Sequence, residues 1–227
     1  LCATRNDDAR SSPDRMQTFS SRKMTWKQIK DFIFLPLRIV LKEKELDKLG
    51  LTSLPEARYS AVFPHIKGRL LDIGCGENVL VKKYGDGVGI DVYPWPDVDV
   101  VCDSTRMPFA DKSFDTITIL ASLNHIPQNK RVPVLQDAWR LLKDDGQLLI
   151  TMIGPLVGYF CHKLVWRWDR DVQEREFVSG ENWGLKNIEV ERLLSLSGFT
   201  VEKHLTFVYG LNNIFVGKKL LTDTRNQ

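Results

Sequence analysis

The chain has 227 residues, a formal net charge of +3 and 43% hydrophobic residues, which is typical of a globular protein that can bury a sizeable core. So small a positive charge gives no support for nucleic acid as a partner. The four cysteines show no CxxC or CxxH spacing, and they indicate reduced thiols in a cytoplasmic setting rather than a disulfide framework. No His/Asp/Glu cluster has the spacing of metal ligands, so no metal is expected.

The start of the chain is polar and lacks the apolar core of a signal peptide, so residues 1–22 are predicted to be a disordered leader. Nowhere does the sequence offer the roughly 20 uninterrupted apolar residues that a membrane-spanning helix needs. Any membrane contact is therefore expected to be peripheral.

Residues 23–60 are predicted to form an amphipathic helical appendage, either one helix or a pair broken at Pro36. Residues 22–44 carry seven Lys/Arg against two acids. Two interpretations remain open: a helix packed on the main domain with a solvated basic face, or an interfacial helix that brings the protein to anionic lipid. The apolar residues at helical spacing are Trp26, Ile29, Ile33, Leu37 and Val40.

From Gly68 onward, strand and helix patterns alternate as in α/β proteins. We expect a Rossmann-like, doubly wound, mostly parallel sheet of seven strands, with an antiparallel C-terminal strand pair. The predicted strands are RLLDIG (69–74), GVGID (87–91), VDVVCD (98–103), FDTITILAS (114–122), DDGQLLITMI (144–153), FTVEKHLTFV (199–208) and NNIFVGKKL (212–220). Gly146 is expected to turn the chain into the fifth strand, and Gly198 to end the helix before the sixth.

A long segment, 154–187, does not fit this alternation. It is rich in aromatic and charged residues, and connections of this length often form lids or substrate-binding elements. We interpret it as an inserted lid, although its aromatic residues could equally form a small satellite core. The substrate-binding candidates within it are Tyr159, His162, Trp166 and Trp183.

The stretch DIGCGEN places Asp72, Gly74 and Gly76 where an apolar strand ends and a helix begins. Such a turn lets the backbone approach a ligand closely, and the following helix N-terminus can meet a polar group. A dinucleotide site would carry a third glycine, and Glu77 would repel a pyrophosphate. Both features count against a nicotinamide dinucleotide.

The same residues resemble motif I of class I S-adenosylmethionine-dependent methyltransferases, acid-x-G-x-G-x-G. Asn78 stands at the last glycine, and asparagine tolerates left-handed backbone angles. Three further segments follow in the family's order: GVGIDVY, VCDSTRMPFADKSFD and ILASLNHIP. The last of these, with RLLKDDGQLLIT, is similar to the type 11 branch, which includes quinone-biosynthesis methyltransferases.

The resemblance implies that residues 61–221 form a domain that binds S-adenosyl-L-methionine. Asp91 would accept hydrogen bonds from the ribose hydroxyls, and Asp103 would contact adenine. Alternatively, Asp91 could merely cap the loop after its strand, and Asp103 could cap the N-terminus of a helix. The full set of implied cofactor contacts is Asp72, Gly74, Cys75, Gly76, Asn78, Asp91, Val92, Asp103, Ser104 and Ala121.

His125 and Asn124 are the candidate catalytic residues because they follow the fourth strand, at the sheet edge where α/β proteins bind ligands. Methyl transfer is an in-line displacement, and a base is needed only if the acceptor must lose a proton. His125 could be that base or orient the acceptor, or it could only hydrogen-bond the turn before Pro127. Asn124 could orient a polar group of cofactor or substrate.

The leading hypothesis is O-methylation of a small-molecule acceptor: a glycan, a lipid-linked sugar or a quinone-like compound. An NAD(P)-dependent oxidoreductase and a non-catalytic S-adenosylmethionine-binding protein remain as alternatives. Nucleic-acid modification is disfavoured because NHIP stands where many amino-methylating enzymes carry an Asn/Asp-Pro-Pro-aromatic motif. We expect a cytoplasmic protein with possible peripheral membrane contact through residues 22–44.

Overall fold

The computed structural model describes residues 24–165 and 182–220. The predicted leader at 1–22 and the middle of the predicted lid lie outside the described residues. The described helices are α1 (Trp26–Ile33), α2 (Leu35–Val40), α3 (Glu43–Lys48), α4 (Leu54–Val62), α5 (Val79–Tyr84), α6 (Gln128–Leu141), α7 (Pro155–Val165) and α8 (Asn187–Leu196). The described strands are β1 (Leu70–Ile73), β2 (Gly87–Asp91), β3 (Val100–Val101), β4 (Phe114–Leu120), β5 (Leu142–Ile153), β6 (Phe199–Phe207) and β7 (Asn212–Lys219).

The seven strands form one mixed sheet in the order β3-β2-β1-β4-β5-β7-β6. The first five strands are parallel, and β7 runs antiparallel to both β5 and β6. The expected Rossmann-like sheet with its antiparallel closing pair is therefore confirmed. Strand order reverses at β1 and β4, and open α/β sheets bind ligands at the carboxyl ends of strands near such a point.

The core lies on both faces of the sheet because successive strand residues point to opposite sides. Leu71 and Ile117 belong to the cluster that packs against α6 and α8, whereas Leu70 belongs to the cluster with α4 and α5. Each of these three side chains is fully buried. Burial on both faces explains why the central parallel strands read as continuous apolar runs in the sequence.

The helical appendage begins with two short helices rather than one. Thr25 caps α1 through a capping box with Gln28. The chain breaks at Phe34, and Pro36 lies in the first turn of α2, where a missing N–H costs nothing. The predicted break at Pro36 thus falls two residues earlier, because proline starts a helix more readily than it ends one.

Two glycines near the end of the sheet behave differently. Gly198 follows α8 with φ +84°, so it terminates the helix as the sequence predicts. Gly146, expected to form the turn into the fifth strand, lies inside β5 instead, next to an irregularity where the pairing shifts between Phe114 and Thr116. A Cβ added at Gly146 would lie 2.7 Å from the Leu142 side chain. Close packing within the strand therefore explains why a glycine stands at this position.

Candidate active site

A cavity of about 580 Å³ opens at the carboxyl ends of the parallel strands. Its lining comes from the turns after β1 and β2, from the segments after β3 and β4, and from α3 and α4 of the appendage. The sequence-predicted residues that line it are Asp72, Gly74, Cys75, Gly76, Asp91, Val92, Asp103, Ser104, Ala121 and His125. The fold thus gathers ten separate sequence candidates around one space of a size typical for small-molecule sites.

The glycine turn after β1 is shaped by close backbone approach. Gly74 has φ +72°, and a Cβ there would lie 2.6 Å from the Ser122 Cβ. Gly76 has φ +53°, but a Cβ there would meet no atom within 4 Å. Gly74 is therefore required by the neighbouring strand end, whereas Gly76 leaves room for a ligand.

Asn78 adopts the left-handed conformation expected for it, with φ 56°. It does not line the cavity. Its amide nitrogen donates to the Asp97 carbonyl at 3.0 Å and to the Asp99 carboxylate at 2.8 Å. Asn78 therefore ties the turn to the segment before β3, and a cofactor contact through its side chain gains no support from this position.

Asp91, at the end of β2, presents its carboxylate beside the glycine turn. The backbone N–H of Gly76 donates to Oδ2 and that of Tyr93 donates to Oδ1, each at 3.0 Å. These bonds fix the carboxylate and leave each oxygen with further lone pairs. The group can accept hydrogen bonds from a pair of ligand hydroxyls.

Asp103, after β3, forms an ion pair with Lys130 at 2.7 Å and accepts a hydrogen bond from the Thr105 backbone N–H at 2.9 Å. These hydrogen bonds lower the pKa of Asp103 to about 2. Its carboxylate is therefore ionised throughout the physiological range. Lys130, which also lines the cavity, was not singled out from the sequence.

Asp72 is a buried carboxyl group at the end of β1. It accepts a hydrogen bond from the Thr118 hydroxyl at 2.6 Å. Burial raises the pKa of Asp72 to about 7, although the Thr118 hydrogen bond and the charge of Arg58 act in the opposite direction. The pKa of Asp72 thus lies near neutrality.

The cavity thiols are uncharged. Burial raises the pKa of Cys75, and the nearby carboxylates of Asp72, Asp91 and Asp99 raise it further. Burial also raises the pKa of Cys102. Because the thiolate is the nucleophilic form, neither cysteine is suited to attack a substrate.

The segment after β4 brings His125 to the cavity. Ala121 has φ +52°, an uncommon conformation for a residue with a side chain, and its N–H donates to the Thr151 hydroxyl at 3.0 Å. The Ser122 hydroxyl donates to the Ile73 carbonyl at 3.0 Å, which joins the ends of β4 and β1. The His125 N–H donates to the Ser122 carbonyl at 3.0 Å, closing the turn that carries the imidazole.

Asn124, in contrast, points away from the cavity. It is 3% exposed, and its amide donates to the Asn182 carbonyl at 3.0 Å. Arg131 donates to the Asn182 side chain at 2.6 Å. Asn124 therefore anchors the end of the predicted lid next to His125, and its part in catalysis stays a prediction.

The predicted lid contributes less to the described cavity than expected. Tyr159 lies on α7 and is 44% exposed, and Trp183 is 39% exposed; neither lines the cavity. Trp166 lies outside the described residues, and so does the side chain of His162. The assignment of all four residues to substrate binding remains a prediction.

Sequence reasoning missed the contribution of the appendage. Glu43, Arg58 and Tyr59 line the cavity from α3 and α4. The Nε of Arg58 is buried without a hydrogen-bond partner, and burial lowers the pKa of its guanidinium. Burial also raises the pKa of Tyr59 to about 12. No local motif marks these residues; an arginine and a tyrosine on a weakly amphipathic helix were the only available signal.

Comparison with known proteins agrees with this geometry. Residues 71–150 match the family described as "Methyltransferase domain". A demethylmenaquinone methyltransferase of Renibacterium salmoninarum is 31% identical over 108 residues, which are 40% of this chain and 44% of that protein. A probable tRNA methyltransferase 9B of Homo sapiens is 31% identical over 93 residues, 36% of this chain and 20% of that protein. The chain thus spans less than half the length of these curated relatives.

Among solved structures, the fold is similar to 1,6-didemethyltoxoflavin-N1-methyltransferase of Burkholderia thailandensis, which was crystallised with 1,6-didemethyltoxoflavin and S-adenosylhomocysteine. The TM-score is 0.56 at 13% identity, and the match covers 88% of this chain and 93% of that one. The match over residues 71–150 and the shared fold support a class I S-adenosylmethionine-dependent methyltransferase domain of the type 11 family. S-adenosylmethionine is the cofactor of that class.

The described cavity fits this cofactor. The Asp91 carboxylate can accept hydrogen bonds from the ribose hydroxyls of the cofactor, and the open space beside Gly76 leaves room for the cofactor next to the turn. The unpartnered Nε of Arg58 offers a cation to the carboxylate of its methionine part. When bound, the cofactor supplies a methyl group activated by a positively charged sulfur. Among the described residues, no group of three or more His, Cys, Asp or Glu side chains could hold a metal ion.

Proposed function

We propose that this protein transfers a methyl group from S-adenosylmethionine to an oxygen of a small, ring-containing acceptor that is quinone-like or lipid-linked. One observation carries the proposal: Gly74, Asp91 and His125 line the same cavity. Cofactor-binding groups and a candidate proton acceptor therefore share one space, as a group-transfer reaction requires.

The chain's own contribution to such a reaction is mainly alignment. A fixed carboxylate at Asp91 and a rigid turn at Gly74 hold one reactant in place, and positioning of this kind can lower a barrier by up to ~7–11 kcal/mol. His125 would accept the proton that a hydroxyl acceptor loses. General-base catalysis of this kind raises a reaction rate by about 10²–10⁴. The neutral thiols of Cys75 and Cys102 would not compete with the acceptor as nucleophiles.

The apolar and aromatic lining favours a ring-shaped acceptor over a free glycan. Tyr59, Trp95 and Ile126 line the cavity together with the neutral thiols. Flat apolar rings bury well against such side chains, whereas a glycan needs many polar partners. The name of the demethylmenaquinone methyltransferase relative points to the same class of acceptor. Membrane contact through residues 22–44 would suit an acceptor of this kind.

The proposal is tested first by calorimetric titration with S-adenosylhomocysteine, with NAD(H) as a parallel control. We expect binding of S-adenosylhomocysteine alone. Asp91→Ala should weaken that binding by ~1–3 kcal/mol, because hydrogen bonds to a charged group are lost. Binding of NAD(H), or unchanged affinity in Asp91→Ala, would contradict the cofactor assignment.

Turnover is then tested with labelled methyl donor and a panel of quinols, lipid-linked sugars and free glycans. We expect label in the quinol or lipid-linked group. Label only in free glycans would overturn the acceptor class, and binding of the donor with no labelled product from any acceptor would favour a non-catalytic binding protein.

A further inference from the structure

The first two helices bury a polar pair and expose several large apolar side chains. The buried side chains of α1 and α2 are Asp31 and Arg38, which are 7% and 4% exposed. Trp26 is 78% exposed, Ile33 62% and Phe32 53%. A helix packed on a globular domain normally shows the opposite arrangement.

This inverted orientation is held by specific hydrogen bonds. The Arg38 guanidinium donates to the Thr52 carbonyl at 2.6 Å and to the Asp31 carbonyl at 3.1 Å. The Thr52 N–H donates to the Asp31 carboxylate at 2.9 Å. On α1, Asp31 lies roughly opposite the stripe of Trp26 and Ile33, at about 100° per residue. Satisfying this buried polar pair therefore directs the apolar stripe outward.

Further contacts fix α1 to the body of the protein. The Tyr209 hydroxyl donates to the Gln28 carbonyl at 2.8 Å, and the Tyr209 ring meets the Phe32 ring edge-on at 4.8 Å. Tyr209 lies in the turn between β6 and β7, so α1 is tied to the sheet. The exposed apolar stripe is thus a surface of the folded domain.

A third helix adds further exposed apolar side chains. Helix α7 packs against α2 and exposes Leu156 to 76% and Phe160 to 66%. We call the exposed side chains Trp26, Phe32, Ile33, Leu37, Leu156 and Phe160 the apolar face. Exposed apolar clusters of this kind mark interaction sites.

The charges around the apolar face select its partner. Between Met24 and Lys42 the only acid is Asp31, which is buried, whereas Lys27 and Lys42 are exposed. Helix α7 contains no acid, and its Lys163 is exposed. The described residues of α1, α2 and α7 carry exposed lysines and no exposed acid, and the exposed acids of α3, Glu43, Glu45 and Asp47, are matched by Lys42, Lys44 and Lys48. The charge of these helices therefore fits an anionic lipid surface. A second copy of the chain would bring like charges together.

We propose that the apolar face docks the protein peripherally on anionic membranes. Helix α3 follows α2 directly, and with α4 it forms one wall of the cavity, so docking would bring that cavity to a lipid-soluble acceptor. This last step rests on the proposed methyl transfer; docking itself does not. No helix among the described residues is long and apolar enough to cross a bilayer.

The test is sedimentation of the full chain with phosphatidylcholine vesicles, with and without phosphatidylglycerol, at low ionic strength. We expect binding to the anionic vesicles and little to the neutral ones. Trp26→Glu with Ile33→Glu should lower the partition coefficient by about tenfold or more. Ile188→Glu, at an exposed apolar residue of α8, is the matched control and should bind as the parent does.

Removal of charge gives a second, gentler variant. Lys27→Gln with Lys42→Gln should lower binding to anionic vesicles by about 25-fold, since each lysine near such a surface contributes about fivefold. Lys203→Gln on β6 is its control. Calorimetry with S-adenosylhomocysteine should give the same affinity for every variant, so loss of docking is separable from loss of cofactor binding.

Two results would overturn the docking proposal. One is absence of binding to anionic vesicles, or an equal loss in the Ile188→Glu control. The other is a concentration-dependent dimer in analytical ultracentrifugation that the Trp26→Glu, Ile33→Glu variant abolishes, which would assign the apolar face to a second copy of the chain.

Discussion

Arg58 is half-buried and lines the cavity, and its buried Nε has no hydrogen-bond partner. A buried N–H without an acceptor costs stability, so the Nε of Arg58 lowers the stability of the protein alone. A protein tolerates such a cost in stability when a bound ligand supplies the missing hydrogen-bond acceptor. The carboxylate of the cofactor is the natural candidate because it is an anion and Arg58 can bind it with charge-assisted hydrogen bonds.

Arg58→Gln should therefore act in opposite directions on binding and on stability. Affinity for S-adenosylhomocysteine should fall by ~1.5–3 kcal/mol, the range for hydrogen bonds to charged groups. The free energy of unfolding without ligand should stay the same or rise. Calorimetry and chemical denaturation measure the two effects. Arg69→Gln, at an exposed arginine that does not line the cavity, should change neither affinity nor turnover; a loss of stability with unchanged affinity in Arg58→Gln would contradict the assignment.

His125 is the second residue whose role can be isolated. His125→Ala should lower methyl transfer to a hydroxyl acceptor by about 10²–10⁴ while leaving S-adenosylhomocysteine affinity nearly unchanged, because a base acts on the acceptor. Labelled-methyl transfer measures turnover, and calorimetry measures affinity. His65→Ala, at a histidine that does not line the cavity, is the control. Unchanged turnover in His125→Ala would remove it as base and leave it a turn residue.

At the scale of elements, the turn between β1 and α5 depends on two glycines with different neighbours. Gly74→Ala would bring a Cβ to 2.6 Å from Ser122 at an unfavourable φ of +72°, so β1 and β4 would have to shift. Gly76→Ala carries only the conformational strain of φ +53°. We expect Gly74→Ala to lower the free energy of unfolding by more than 2 kcal/mol, and Gly76→Ala by about 1 kcal/mol.

The Gly74→Ala and Gly76→Ala variants also distinguish an effect on stability from an effect on cofactor binding. Gly76→Ala should weaken S-adenosylhomocysteine binding more than its small effect on stability suggests, because its Cβ would enter the space left beside the turn. Thermal unfolding and calorimetry on both variants provide the measurement. Equal losses of stability in the two variants would show that contact with Ser122 does not constrain Gly74.

At the scale of the whole molecule, Asp72 links stability to pH. Burial raises its pKa from 3.8 to about 7 in the folded protein, so between these values the folded state holds a proton that the unfolded state has released. The free energy of unfolding therefore falls as pH rises through this range. At about 1.4 kcal/mol per pKa unit, the decrease attributable to Asp72 is at most about 4 kcal/mol.

Urea denaturation of the protein and of Asp72→Asn at several pH values checks this prediction. The neutral amide can still accept the Thr118 hydrogen bond, so the variant should lose most of the decrease between about pH 4 and pH 7. The comparison isolates Asp72 from His65, whose lowered pKa acts in the opposite direction. Parallel pH profiles for the two proteins would show that Asp72 is already ionised when folded.

The sheet was largely predictable because its signals are local. Continuous apolar runs marked the central strands, and Gly198 marked the end of a helix. The position of the break before Pro36 was missed by two residues, and Gly146 was misread as a turn because a glycine packed inside a strand looks the same in sequence. Both errors concern how neighbouring elements pack, which local propensity does not encode.

The site was predictable along the strands and less so elsewhere. Glycines and acids that follow parallel strands all reach one edge of the sheet, so their placement follows from the topology. The direction of a side chain depends on its neighbours in space, and this is why Asn78 and Asn124 turn to structural partners rather than to the cavity. Arg58 was missed because its helix enters the site from a distant part of the chain.

The sequence by itself determined the order of strands and helices and the class of cofactor, because consecutive residues suffice to encode a strand, a glycine turn and the acid that follows. Tertiary structure alone decided that the appendage completes the cavity and that α1 exposes its apolar side. Both depend on contacts between residues far apart in the chain: Arg38 with Thr52 and Asp31, and α4 with the strand ends. Such contacts arise only when the chain is folded, and no local pattern records them.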